Sequence, residues 1–293
     1  MPEYQRYYRY QDKGSVTNSK LVRWLVYIIV LFVIILLIRA CLGGGGKQTE
    51  GELTNESTEA EQVTDENSNT NSSDQETDTK ASIATVESFD VASQCDGIIS
   101  LYGSEPKIAL TFGGRGSGAN VDEILKILSD SGVPGSFFFT GVFARNNPEV
   151  VTKINQAGFR VYNQSDSHPD FEDLTEDEML QELELADEEI SKLTGLTTKP
   201  FFRPPYGSVT EAIADVVISA GYCSVTWTVD ALDWSSGVAS SEVYDRVMER
   251  AQDGAIVLMH IGSDPLPSAL PDIITDLRTE GYELVSLADL VGS

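Results

Sequence analysis

The chain is expected to fold as an α/β protein, a distorted (β/α) barrel of seven to eight units preceded by one transmembrane helix and a disordered linker. Three features predict this. From about residue 91 to residue 293, short apolar runs alternate with amphipathic stretches of helical period. Glycines fall just past the helical stretches, where helices end. Upstream, one uncharged aliphatic run is followed by a long polar and acidic one. The 293 residues carry a formal net charge of -26, which repels nucleic-acid backbones, so no nucleic-acid partner is expected.

In chain order, residues 1–23 read as a cytoplasmic tail, 24–42 as the anchor, 43–90 as the linker and 91–293 as the folded domain. Residues 24–38 are uncharged, and the stems of Arg23 and Arg39 at either end let their charged heads reach the interface. Arg6, Arg9, Lys13, Lys20 and Arg23 precede this span, whereas only Arg39 and Lys47 follow closely. The positive-inside rule therefore places the amino terminus in the cytoplasm and the domain outside the cell, on a single-pass anchor in the cell membrane. Two alternatives stay open, a cleaved signal peptide and a lipoprotein signal acylated at Cys41. The long region before the apolar run opposes the first, and Arg39 two residues before Cys41 opposes the second. In the linker, side chains such as Glu50, Glu52 and Glu56 repel one another and keep the chain extended. Cys95 and Cys223 would lie in an oxidising compartment, where a disulfide and two buried thiols are both open.

Within the domain, 107–112 reads as a buried strand, and 120–131 sets Val121, Ile124, Leu125 and Leu128 on one helical face. Further strands are predicted at 136–140, 159–163, 200–203, 222–229, 255–260 and 282–287. Helices are predicted near 148–156, 176–193, 210–219, 241–252 and 270–280. Gly132, Gly158, Gly195, Gly221, Gly254 and Gly281 follow them. Such a succession implies a parallel sheet covered by helices, with its working face at the carboxyl ends of the strands. Phe137, Phe138 and Phe139 belong to the core of one strand.

The strand ends read T-F-G-G-R-G at 111–116, N-Q-S-D-S-H-P-D at 163–170, F-R-P-P-Y-G at 202–207, D-A-L-D-W at 230–234 and I-V-L-M-H at 256–260. Together they resemble, in order and spacing, the five motifs of the polysaccharide deacetylase family, the NodB homology domain of carbohydrate esterase family four. Five motifs at successive strand ends are a specific signal. The chain has two histidines, His168 and His260, and both fall on motif positions.

The resemblance implies a hydrolase that cleaves the carbon–nitrogen bond of N-acetyl groups on glycan. Its divalent ion polarises the carbonyl, a carboxylate base takes a proton from water, and a histidine protonates the departing amine. Carried over residue by residue, the base position is Gly113, the first metal-ligand position is Gly114, and the first ligand histidine is Gln164. The glycine that follows the acid pair is Arg115. His168 remains as the one imidazole ligand, with Asp166 as a possible substitute ligand nearby. Arg203, Asp233 and His260 keep the catalytic positions, and Pro205, Tyr206, Trp234 and Leu258 the substrate-binding ones. A lone imidazole beside an amide lacks the charge compensation of a zinc site, so no cofactor is expected to bind tightly. An active enzyme would require a zinc-like divalent ion. The expected function is a membrane-anchored deacetylase-like protein that binds N-acetylated cell-wall glycan with impaired catalysis. The alternatives are an active metal-dependent polysaccharide or peptidoglycan N-deacetylase, and a non-catalytic protein-interaction module of the envelope.

Overall fold

A computed structural model describes residues 95, 97–100, 103–114 and 116–292. The predicted tail, anchor and linker, the first residues of the predicted domain and Arg115 lie outside the described residues. The described chain runs through β1 (Ile98–Ile99), β2 (Lys107–Gly114), α1 (Val121–Ser131), β3 (Ser136–Phe139), α2 (Gly141–Asn146), α3 (Pro148–Gln156) and β4 (Arg160–Asn163). It continues through α4 (Glu176–Thr194), β5 (Phe201–Phe202), α5 (Glu211–Ser219), β6 (Cys223–Val225), β7 (Val229–Asp230), α6 (Ser240–Met248), β8 (Ala255–Ile261), α7 (Leu266–Thr279), β9 (Glu283–Val285) and α8 (Leu287–Val291). Among the described residues no helix is long and apolar enough to cross a membrane.

The strands pair in the order β1-β6-β5-β4-β3-β2-β8-β7, and every pairing is parallel. β9 lies against the first residues of β2, Lys107 to Ala109, and β3 takes over that edge from Thr111. The predicted barrel takes the form of a curled half-barrel, since among the described residues no pairing joins β7 to β1. The predicted strand at 222–229 is in fact two. At Thr226 the chain leaves the β5 side, its N–H donating to the Ile99 carbonyl, and at Thr228 the N–H donates to the Ile256 carbonyl on the β8 side.

Alternating strand residues bury opposite faces, as the two-residue period of a strand requires. Ile108, Leu110 and Phe112 of β2, Phe137 and Phe139 of β3, and Val257, Met259 and Ile261 of β8 pack outward against α1, α3, α6 and α7. Ala109, Phe138 and Ile256 face the inside of the curl, which Leu287, Leu290 and Val291 of α8 help to fill. A third cluster, including Phe171, Leu183, Phe202, Val217 and Tyr222, lies between α4, α5 and the sheet. The helix ends follow local chemistry. Thr175 and Glu178 form a capping box at the start of α4, and Gly132 and Gly195 end α1 and α4 at positive φ of 59° and 72°.

Candidate active-site cleft

Among the described residues, four other than glycine hold positive φ: Ser165 (67°), His168 (62°), Tyr206 (60°) and Leu232 (50°). All four follow the carboxyl end of a strand, namely β4, β5 or β7. Left-handed backbone costs an ordinary residue on the order of 1–2 kcal/mol, and persists where the surroundings over-determine it. Strain therefore concentrates at the face where the motif residues sit.

At the end of β8, the Asp233 carboxylate accepts the His260 backbone N–H at 2.8 Å and lies 2.9 Å from the ring Nδ1. Asp233 is 2 % exposed, and its own carbonyl accepts the Ser263 hydroxyl. These bonds fix the His260 ring and turn Nε2 toward β2, where Gly113 stands in register with His260. A Cβ on Gly113 would lie 2.8 Å from His260 Cδ2 and 3.2 Å from Nε2. The imidazole thus lies over the backbone of the missing base position.

The β4 loop is tied from below. The Asn163 side-chain amide, fully buried, donates to the Leu183 carbonyl at 2.9 Å and to the Tyr222 hydroxyl at 3.2 Å, while its oxygen accepts the Ser165 N–H at 2.8 Å. Burial pushes the Tyr222 hydroxyl well above its ordinary range, which keeps it protonated. Above this network Gln164 Nε2 and His168 Nε2 stand 3.5 Å apart. The His168 ring meets the Tyr206 ring edge-on at 4.8 Å, and the Tyr206 hydroxyl donates to the His168 carbonyl at 3.3 Å. The two motif-two positions therefore converge. Asp166 is committed elsewhere, with its two oxygens bound by Arg145 at 2.7 and 2.9 Å.

Arg203 is fully buried. Its Nη2 donates to Thr111 Oγ1 at 2.8 Å, and its guanidinium carbon lies 4.0 Å from the centre of the Phe138 ring. Trp227 lies 5.7 Å away on another side and packs against Gly207, where an added Cβ would approach to 3.1 Å. Pro205 and Leu258 are buried, whereas Gln164, His168, Tyr206, Trp234 and His260 are half-buried.

The donor set fits a divalent ion poorly. The two glycines offer no side-chain oxygen, the Asp166 carboxylate is engaged by a guanidinium, and what remains is His168 beside an amide. Among the described residues no group of three or more His, Cys, Asp or Glu side chains could hold a metal ion. Arg145 and Trp227 fall in none of the strand-end motifs, the sequence cue to Trp227 being its place between two threonines, and Asn163 opens one of those motifs without showing that it ties the loop.

Residues 102–225 match the sequence model of the polysaccharide deacetylase family. Over 211 residues the chain is 32% identical to the peptidoglycan-N-acetylmuramic acid deacetylase PdaA of Bacillus subtilis (strain 168), spanning 69% of this chain and 80% of that protein. It is also similar to a peptidoglycan-N-acetylglucosamine deacetylase of Bacillus cereus, 30% identical over 193 residues, covering 64% of this chain and 69% of that protein. Among solved structures, a carbohydrate esterase family 4 pseudoenzyme from Bacillus anthracis superposes with a TM-score of 0.63 at 28% identity. The superposition covers 66% of this chain and 68% of that one.

Proposed function

Because the chain belongs to the polysaccharide deacetylase family, we propose that it is a membrane-anchored, extracytoplasmic member that binds N-acetylated cell-wall glycan and hydrolyses it poorly or not at all. The observation that carries this reading is the end of β2, where Gly113 and Gly114 stand in place of two carboxylates while Asp166 is held by Arg145. Without an anionic ligand and a base, neither water activation nor carbonyl polarisation has a group to perform it. The rest of the cleft keeps its form. Tyr206 stands in strained backbone beside His168, and Asp233 holds His260. The two relatives named as peptidoglycan deacetylases support cell-wall glycan as the ligand class. The Cys95–Cys223 disulfide supports an oxidising, extracytoplasmic setting.

The test uses the full chain in detergent, incubated with zinc, cobalt or manganese, dialysed and analysed for bound metal and for acetate released from N-acetylated peptidoglycan. Far less than one metal per chain and no acetate are expected. Stoichiometric metal together with acetate would overturn the reading. That outcome would instead support an active metal-dependent N-deacetylase, the second reading, which the names of the relatives favour. For glycan binding, Tyr206→Ala and Trp234→Ala should each weaken retention on insoluble peptidoglycan roughly tenfold, as the loss of one aromatic anchor does. Unchanged retention in both would remove the cleft as the binding site.

A further inference from the structure

A metal centre of the family's kind would draw ligands from position 114 on β2 and from 164 and 168 after β4. In the sheet, β3 lies between those two strands, so the centre would sit above the end of β3, where α2 begins. The start of α2 is bonded into this corner. The Gly141 N–H donates to the Ser165 carbonyl, the Val142 N–H to the Asp166 carbonyl, and the Gln164 N–H to the Phe139 carbonyl. Phe143 follows, its own N–H capped by Thr140 Oγ1 at 2.9 Å and its ring 4.6 Å from the Phe139 ring.

We infer that Phe143 locks this chain out of the family's metal chemistry: its ring has taken the space that a side chain at position 114 would need. Gly114 continues the face of β2 that carries Ile108, Leu110 and Phe112, the face that packs with Phe139 and Phe143. A Cβ there would lie 2.9 Å from Phe139 Cδ1, 2.9 Å from Phe143 Cδ2 and 3.0 Å from Phe143 Cε2. Those are ring atoms of aromatic side chains only 0 % and 7 % exposed, so they have little room to yield. An aspartate would add a whole carboxylate beyond that Cβ. Gly118, on the same loop, also rests on the Phe143 ring, with its added Cβ 3.4 Å from Cζ. Gly114 is therefore a packing partner of Phe143, a glycine required by the close approach as well as a lost ligand position.

Position 113 is different. Its obstacle is the edge of one half-buried imidazole, that of His260, whereas at 114 two buried phenylalanine rings are wedged against each other. Restoring the ligands alone thus leaves the centre blocked at 114. This deepens the proposal above, since it concerns the same cleft. The metal content of the native chain tests that proposal, and the coupling between positions 114 and 143 tests this one.

The experiment has two arms, both on the full chain in detergent. In the first, Gly114→Ala is made alone and in a Phe143→Ala background, and thermal unfolding is recorded. Gly114→Ala should lower Tm by about 2–10 °C in the native background, the usual effect of overpacking in a domain of this size, and should cost markedly less when Phe143 is alanine, because the Phe139 ring can then shift into the vacated space. An equal loss in both backgrounds would overturn the inference. In the second arm, zinc binding is measured by calorimetry for the triple variant Gly113→Asp, Gly114→Asp, Gln164→His with and without Phe143→Ala. The quadruple variant should bind one zinc on the order of 100-fold more tightly than the triple. Equal affinity in the two, or no zinc in either, would overturn it.

Discussion

At the scale of single residues, Asp233 is the pivot of the cleft. Its carboxylate serves the backbone N–H and the ring nitrogen of one histidine at once, in a position with almost no access to water. Asp233→Ala would leave the buried His260 N–H without an acceptor. The cost should be about 1–3 kcal/mol, read by urea unfolding. Asp233→Asn should recover part of this, because a carboxamide oxygen can still accept the backbone N–H. Equal stability of Asp233→Ala and the native chain would mean that water replaces the carboxylate. Asp233, His260, His168 and Gln164 could be singled out in the sequence because each falls in a strand-end motif that resembles those of the polysaccharide deacetylase family. What Asp166 does was not. Its partner Arg145 lies 21 residues away in the chain, and nothing about an arginine in a polar stretch says which carboxylate it will meet. The same holds for Phe143, whose contact with Gly114 depends on how α2 leaves the sheet.

The elements differ in how plainly they are written. Long amphipathic helices and the runs that became β2, β3 and β8 were readable because their periods persist over several residues. α2 has six residues and α8 five, too few for a helical period to stand out, and the predicted last strand ran on into Leu287, where Ser286 instead caps α8. The break between β6 and β7 was hidden for another reason. Residues 222–229 read Y-C-S-V-T-W-T-V, in which Ser224, Thr226 and Thr228 alternate with Val225, Trp227 and Val229, so the two-residue period runs on through the interruption. The connection from α4 to β5 is held by a carboxylate: Asp187 Oδ1 accepts the Thr198 N–H and hydroxyl at 2.6 Å each and the Thr197 hydroxyl at 3.0 Å. Burial pushes its pKa up, but the hydrogen bonds from Thr198 and Thr197 outweigh that and hold it below the ordinary value. The folded pKa is thus lower than the unfolded one of about 3.9. The resulting stabilisation is complete above the unfolded value and is lost as pH falls through the folded one. Asp187→Asn should be less stable than the native chain at neutral pH by about 1 kcal/mol. The gap should narrow as unfolding is repeated at successively lower pH, below the unfolded value and toward the folded one. A gap independent of pH would assign the effect to shape and not to charge.

At the scale of the whole molecule, the sheet among the described residues ends at β1, a strand of two residues that pairs with β6 at Ile98–Ser224 and Ile99–Val225. So short an edge strand contributes few hydrogen bonds and is poorly able to hold the start of the domain by itself. The Cys95–Cys223 disulfide joins the segment before β1 to the first residue of β6 across 128 residues of sequence. Cysteine spacing left this pairing open, because only the fold brings two positions so distant in the chain together. A cross-link closing so long a loop removes many conformations from the unfolded chain and stabilises by about 2–4 kcal/mol in typical cases. The chain treated with reductant, and the Cys95→Ser/Cys223→Ser variant, should therefore unfold at a Tm lower by about 5–15 °C. The variant itself should be indifferent to reductant. If β1 were held by its backbone pairing alone, oxidised and reduced protein would melt together. Reduction should also free the β6 edge before the rest of the sheet, seen as faster amide exchange at Ser224 and Val225 than in the core of β2.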